Sequence, residues 1–80
     1  MPPKIPSLSS RKFVRLLEKN GAHFVRQRGT SHAIYERVWG GITWRAPVVM
    51  GKSELSPKYI KLVLRQLGFS DEEIGGMFKW

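Results

Sequence analysis

The amino-acid sequence predicts a two-layer α+β domain with the element order α-β-β-β-α. Apolar residues recur at helical spacing near the start of the chain, and helical spacing returns after residue 56. Between these segments, β-branched and aromatic residues separated by glycines are typical of short strands. Two amphipathic helices can then cover one face of an antiparallel three-stranded sheet. With 80 residues, the chain has room for one small core, so we expect an N-terminal arm over residues 1–8 and a single domain over residues 9–80.

The first helix is predicted over residues 11–20. Ser9 or Ser10 can cap its start, and Gly21 is the residue type expected just after its end. One face of this helix is apolar and the opposite face is basic. The apolar residues are Phe13, Val14, Leu16 and Leu17, and the basic ones are Arg11, Lys12, Arg15 and Lys19.

Three strands are predicted over residues 22–28, 31–38 and 42–48, with turns at Gly29-Thr30 and at residues 39–41. Connections this short make an antiparallel meander. Pro47 has no amide donor, so the third strand is expected either to lie at an edge of the sheet or to end there.

A second helix is predicted to begin with Ser56 as N-cap and Pro57 at its first position, and to end near Gly68. Its core face and its basic face are again opposed. The core face carries Tyr59, Ile60, Val63, Leu64 and Leu67, and the basic face carries Lys58, Lys61 and Arg65.

Residues 70–80 suggest a short third helix. Residues 70–73, Ser-Asp-Glu-Glu, match a capping box, and we expect Gly75-Gly76 to end the helix. The apolar tail after these glycines, with Met77, Phe78 and Trp80, either closes the core or docks on another chain.

Composition and charge narrow the function. There is no cysteine, which excludes disulfides and thiolate chemistry, and no apolar run approaches the length of a membrane span, so a cytoplasmic protein is expected. The net charge is +8, and residues 1–65 hold 13 basic and 3 acidic residues. Nucleic acid is the commonest partner of such a surface, with anionic membranes and acidic proteins as alternatives.

Several motifs, in their order and spacing, resemble the HicA (YcfA-like) toxin family. They cover most of the chain between residues 9 and 74: LLEKNG at residues 16–21, VRQRGTSHAIY at 25–35, PV at 47–48, GKSELSP at 51–57 followed by Ile60, and LRQLG at 64–68. The predicted element order is also that of double-stranded-RNA-binding domains.

The resemblance implies a double-stranded-RNA-binding-like fold and the activity of an mRNA interferase, an endoribonuclease that a HicB antitoxin binds and masks. The family's essential histidine, in a Gly-Ser-His type motif at the start of the second strand, corresponds to His32 here. In this chain the motif is Gly-Thr-Ser-His, because Thr30 is inserted. Val49-Met50 stand where many relatives carry a further histidine, which leaves His32 as the single catalytic candidate.

Acid–base chemistry at His32 needs cationic partners. An imidazole can take a proton from a ribose 2′-hydroxyl near neutral pH, and without a metal the charge on the phosphorane is met by Lys, Arg or backbone donors. Two distant histidines and scattered carboxylates do not make a metal site, so neither a metal nor another cofactor is expected. The expected RNA-binding residues are Arg26, Arg28 and Lys52 at the phosphates, Gly29, Thr30 and Ser31 in the turn before His32, and Lys58, Lys61 and Arg65 along the second helix.

Two other interpretations stay open. A non-catalytic double-stranded-RNA-binding module would use Lys58 and Lys61 to bridge phosphates. An interaction protein would use the basic surface to bind an acidic partner.

The free chain is expected to be a monomer or a weak dimer. His23 is interpreted as structural or exposed. For Trp39, Trp44 and Trp80, packing within the protein is a commoner role than stacking on bases.

Overall fold

The computed structural model describes residues 4–78 and confirms the predicted element order. The elements are α1 (Ser10–Lys19), β1 (His23–Arg28), β2 (His32–Trp39), β3 (Ile42–Val49), α2 (Pro57–Gln66) and α3 (Asp71–Phe78). Residues 1–3 of the expected arm and Trp80 lie outside the described residues. Within that range, no helix is long and apolar enough to cross a lipid bilayer.

The three strands form an antiparallel meander in the order β1-β2-β3. The register of β2 on β3 is unbroken from His32↔Val49 to Trp39↔Ile42, whereas β1 shifts its register on β2 between Phe24 and Arg26. Because β3 is an edge strand, Pro47 is accommodated inside it without ending the strand.

Both long helices cover the same face of the sheet, as the sequence predicts. Their fully buried side chains and the alternate residues of β2 and β3 make one continuous core. The helices contribute Phe13, Leu17, Ile60, Val63 and Leu64, and the strands contribute Ala33, Tyr35, Ala46 and Val48. Ile5 and Leu8 pack against the edge of this core, and Leu8 pairs with Leu55 through backbone hydrogen bonds.

Serine hydroxyls cap the starts of α1 and α2. The Oγ of Ser9 accepts from the amide of Lys12 at 3.2 Å, and the Oγ of Ser56 accepts from the amide of Tyr59 at 3.2 Å. Each bond satisfies one amide that has no partner inside its helix. Ser9 is therefore the N-cap of α1, and the hydroxyl of Ser10 instead bonds to the backbone of Val49 and Lys52.

The third helix is longer than predicted. Its capping box is present, with the Glu73 amide donating to Ser70 Oγ at 3.1 Å and the Ser70 amide donating to Glu73 Oε1 at 3.0 Å. The expectation that Gly75-Gly76 end the helix is wrong, because α3 continues to Phe78. Met77 and Phe78 pack against the core, and this burial offsets the helical cost of the two glycines.

Arg37 ties α3 to the sheet in a way the sequence did not indicate. Its guanidinium donates to Glu73 Oε2 at 2.7 Å and to the carbonyl of Leu67 at 3.2 Å, and lies 3.9 Å from the centre of the Phe69 ring. Only 4% of Arg37 is exposed. A buried charge is costly unless it is paired and hydrogen-bonded, and these contacts meet that requirement.

Candidate functional site

His32 begins β2 on the face of the sheet opposite the helices. Side chains alternate along a strand, and Ala33 and Tyr35 are in the core, so His32, Ile34 and Glu36 emerge on the other side. We call this side, which no helix in residues 4–78 covers, the open face. Directly opposite His32 on β1 is Arg28, whose Cβ atom is about 5 Å away for a pair in this register.

A cavity of about 440 Å³ surrounds His32 on the open face, lined also by Arg28, Gly29 and Pro47. Gly29 has φ +66°, a conformation that other residues rarely adopt, and a Cβ atom built on it would meet nothing within 4 Å. The turn's shape therefore requires the glycine, and the space above it is open to a ligand. Thr30 and Ser31 are exposed in the same turn, with their hydroxyl oxygens 3.5 Å apart.

A second cavity, of about 260 Å³, adjoins the first and shares Arg28 and Pro47 with it. Arg26, predicted as a phosphate ligand, lines this second cavity, and so does Arg45, which the sequence analysis did not select. The other lining residues are Val25, Ile34 and Ala46. Arg45 lies on the same face as His32 because it pairs with Glu36, which is four residues after His32 on β2. The sequence alone does not give this pairing, so it did not indicate Arg45.

The carboxylate of Glu36, on the open face, contacts two neighbouring side chains. Its Oε1 accepts from Arg45 Nε at 2.9 Å, and its Oε2 lies 3.5 Å from His23 Nε2. These three residues lie side by side on three adjacent strands. His23 is exposed, as predicted, and does not line the cavity of His32.

Lys52 lies on a loop that is anchored next to the turn before His32. The amide of Met50 donates to the carbonyl of Ser31 at 2.7 Å, and the amide of Lys52 donates to Ser10 Oγ at 3.0 Å. The hydroxyl of Tyr59 accepts from the Val49 amide at 3.0 Å. Lys52 itself lines a third cavity, of about 260 Å³, together with Val49, Glu54, Leu55, Ser56 and Tyr59.

The structure does not bring the basic face of α2 into any of these three cavities. Lys58, Lys61 and Arg65 are exposed on α2, whose opposite side packs on the sheet. Arg65 also pairs with Asp71, at 3.1 Å between Nη2 and Oδ1. The predicted RNA-binding residues are thus divided among the open face with its turn, the loop that carries Lys52, and the exposed side of α2.

The remaining candidates have simpler positions. Trp44 is half-buried against the core, whereas 60% of Trp39 is exposed at the end of the β2–β3 hairpin. Among residues 4–78, no three histidines or carboxylates come together as a metal-binding group would require.

Comparison with protein families identifies the family of this chain. A family model described as the HicA toxin of bacterial toxin–antitoxin systems matches residues 10–69, from the start of α1 to just beyond α2. Neither the comparison with curated proteins nor that with solved structures gives a significant match.

Proposed function

The chain belongs to the HicA family of toxins from bacterial toxin–antitoxin systems, and we propose that it is a metal-independent endoribonuclease that cleaves mRNA with His32 as its acid–base residue. The observation that carries this proposal is the placement of an exposed histidine in an open cavity beside an arginine. A nucleotide can reach His32 without any rearrangement of the core, because the cavity lies on the open face.

The proposed reaction uses the ribose of the substrate as nucleophile. His32 takes the proton of a 2′-hydroxyl, and the 2′-oxygen attacks the adjacent phosphorus while the bond from phosphorus to the 5′-oxygen breaks. The protonated imidazole returns its proton to the departing 5′-oxygen. The products are a 2′,3′-cyclic phosphate and a 5′-hydroxyl, so no oxidant, metal or water is consumed in this step.

Negative charge that develops on the phosphorane needs nearby donors. Arg28 is the first candidate, since it faces His32 across the two strands and lines the same cavity. The backbone of residues 29–31 offers amide donors at the rim. Arg26 binds a neighbouring phosphate in this scheme, and Lys52 contributes from the anchored loop.

The basic face of α2 has a separate role in the proposal. Lys58, Lys61 and Arg65 attract and orient the RNA at a distance from the reacting phosphate, since they line none of the cavities described. Such contacts raise affinity without contributing to the chemical step.

We further propose that the toxin acts in the cytoplasm, as a monomer or weak dimer when free, and that a HicB-like antitoxin masks the open face. A ribonuclease that cleaves cellular mRNA must be inhibited in the cell that makes it. Covering His32 and the arginines around it would block the substrate directly.

Induced expression in bacteria tests the proposal. The parent chain is expected to arrest growth and deplete full-length mRNA, and His23→Ala is expected to behave like the parent because His23 does not line the cavity. His32→Ala, accumulated to the same level, is expected to be harmless. Growth arrest by the parent with intact mRNA would contradict the ribonuclease, and equal mRNA loss with His32→Ala would contradict the role of that histidine.

A further inference from the structure

The two cavities of the open face lie next to each other on the sheet. Arg28 and Pro47 line both of them, so the two cavities are neighbours on the same face. Ile34 lies two residues after His32 on β2, which displaces the second cavity by about 7 Å along the strand. This displacement corresponds to one step along an extended nucleotide chain.

The second cavity combines an apolar floor with cationic walls. Ile34 lines this cavity and lies outside the main core cluster, with 7% of its surface exposed. Pro47 stands opposite Ile34 in the register. Arg26, Arg28 and Arg45 line the same cavity, and such a combination suits a nucleotide, whose phosphate is anionic and whose base has a flat face that packs on apolar groups.

The hydrogen bond between Arg45 and Glu36 leaves donors of Arg45 for a ligand. Glu36 engages the Nε–H of Arg45 at 2.9 Å. A guanidinium has five N–H groups, so four on the two terminal nitrogens remain, and these make the fork that matches a phosphate.

We propose that this second cavity is a nucleotide subsite for single-stranded RNA, adjacent to the scissile phosphate, in which Arg45 and Arg26 bind a phosphate group and Ile34 and Pro47 contact the attached base or ribose. The inference rests on the proposed function for the identity of the polymer. A volume of about 260 Å³ is just below the roughly 300–1,000 Å³ of sites for drug-sized ligands, which suits one nucleoside unit.

Binding to a labelled single-stranded RNA of eight nucleotides tests the subsite apart from catalysis. All proteins carry His32→Ala, so that the RNA stays intact, and circular dichroism verifies their fold. Adding Arg45→Ala is expected to weaken binding roughly tenfold, as for the loss of a charged hydrogen bond. It should also reduce the slope of log affinity against log salt by about 0.7, as for one phosphate contact on a single strand.

Arg15→Ala is the matched control, since it removes the same charge from the exposed side of α1. It is expected to leave the salt slope within error of the His32→Ala parent. Arg45→Lys keeps the charge but loses the fork, and an affinity between those of the parent and Arg45→Ala is expected.

Equal losses of affinity and slope in the Arg45→Ala and Arg15→Ala proteins would overturn the subsite, because the effect would then be one of net charge alone. Failure of the His32→Ala parent to bind this RNA would overturn it as well. The proposed function fails on a different result, namely the absence of RNA cleavage by the chain with His32 intact, so the two failures are distinguishable.

Discussion

The hydroxyl of Ser10 donates to the backbone carbonyl of Val49 at 2.8 Å and so joins the start of α1 to the end of β3. The same oxygen accepts from the Lys52 amide at 3.0 Å, and the Ser10 amide donates to the Lys52 carbonyl at 2.9 Å. Val49 is the register partner of His32. This buried serine therefore fixes the loop that carries Lys52 relative to the strand that carries the proposed catalytic histidine.

Replacing Ser10 by alanine should destabilise the domain and misplace this loop. The variant leaves the Val49 carbonyl and the Lys52 amide without their partner in a site where Ser10 is 2% exposed, and we expect a loss of about 1–3 kcal/mol in the free energy of unfolding. Urea denaturation measures it. Ser9→Ala, which removes only the cap, is expected to cost about 1 kcal/mol and to leave RNA cleavage unchanged. Parental stability and cleavage in Ser10→Ala would contradict the assignment.

Gly68 is predicted to tolerate no side chain. Its φ is +79°, and a Cβ atom there would lie 2.6 Å from Cε2 of the Trp44 indole, whereas the same atom at Gly21, with φ +94°, would meet nothing within 4 Å. Gly21→Ala adds backbone strain alone, about 1 kcal/mol. Gly68→Ala adds an overpacking cost of about 1–3 kcal/mol to that strain. A comparison of the two thermal midpoints checks this order, and equal destabilisation would show that the Trp44 contact is harmless.

Tyr35 should make the fold sensitive to alkali. Burial in the core raises the pKa of its phenol above the ordinary value of 10.0, and the Glu18 carboxylate raises it further. Above about pH 10 the unfolded chain therefore holds fewer protons at this residue than the folded chain, and the free energy of unfolding falls as pH rises. The contribution is complete below pH 10 and is lost as pH rises toward the folded pKa.

Tyr35→Phe removes this titration. Between pH 8 and pH 11, the urea midpoint of the parent should fall by more than that of the variant. Lysine titration affects both proteins alike, so the difference between them isolates Tyr35. Identical falls would contradict a raised pKa in the folded state.

Local sequence signals were sufficient for most of the fold. The caps at Ser9 and Ser56, the apolar faces of α1 and α2, and the turns around the strands depend on neighbours within a few residues, and the structure confirms them. The predicted end of α3 was wrong because it depends on packing with distant residues. Gly75-Gly76 are poor helix formers locally, but Met77 and Phe78 reach the core from a helical backbone, and this tertiary packing outweighs propensity.

In the candidate site, too, some residues could be identified from local sequence and others depend on strand pairing. His32 could be selected through the family motif that it matches, and Arg28 is a basic residue just before the same turn; the structure places both in one cavity. Arg45 could not, since its proximity to Arg26 depends on the pairing of three strands. Arg37 and Arg45 lie on neighbouring strands, and only the three-dimensional structure shows that Arg37 is buried against α3 and Arg45 is exposed.

The most direct test of the account is cleavage of a long single-stranded RNA by the purified toxin in EDTA, with His32→Ala and His23→Ala in parallel and circular dichroism to verify their folds. The parent and His23→Ala are expected to cleave at similar rates, and His32→Ala to be slower by a factor of roughly 10²–10⁴, the usual contribution of a general acid–base residue. If His32→Ala cleaves as fast as the parent, or if the folded parent binds RNA and leaves it intact, the central claim is contradicted.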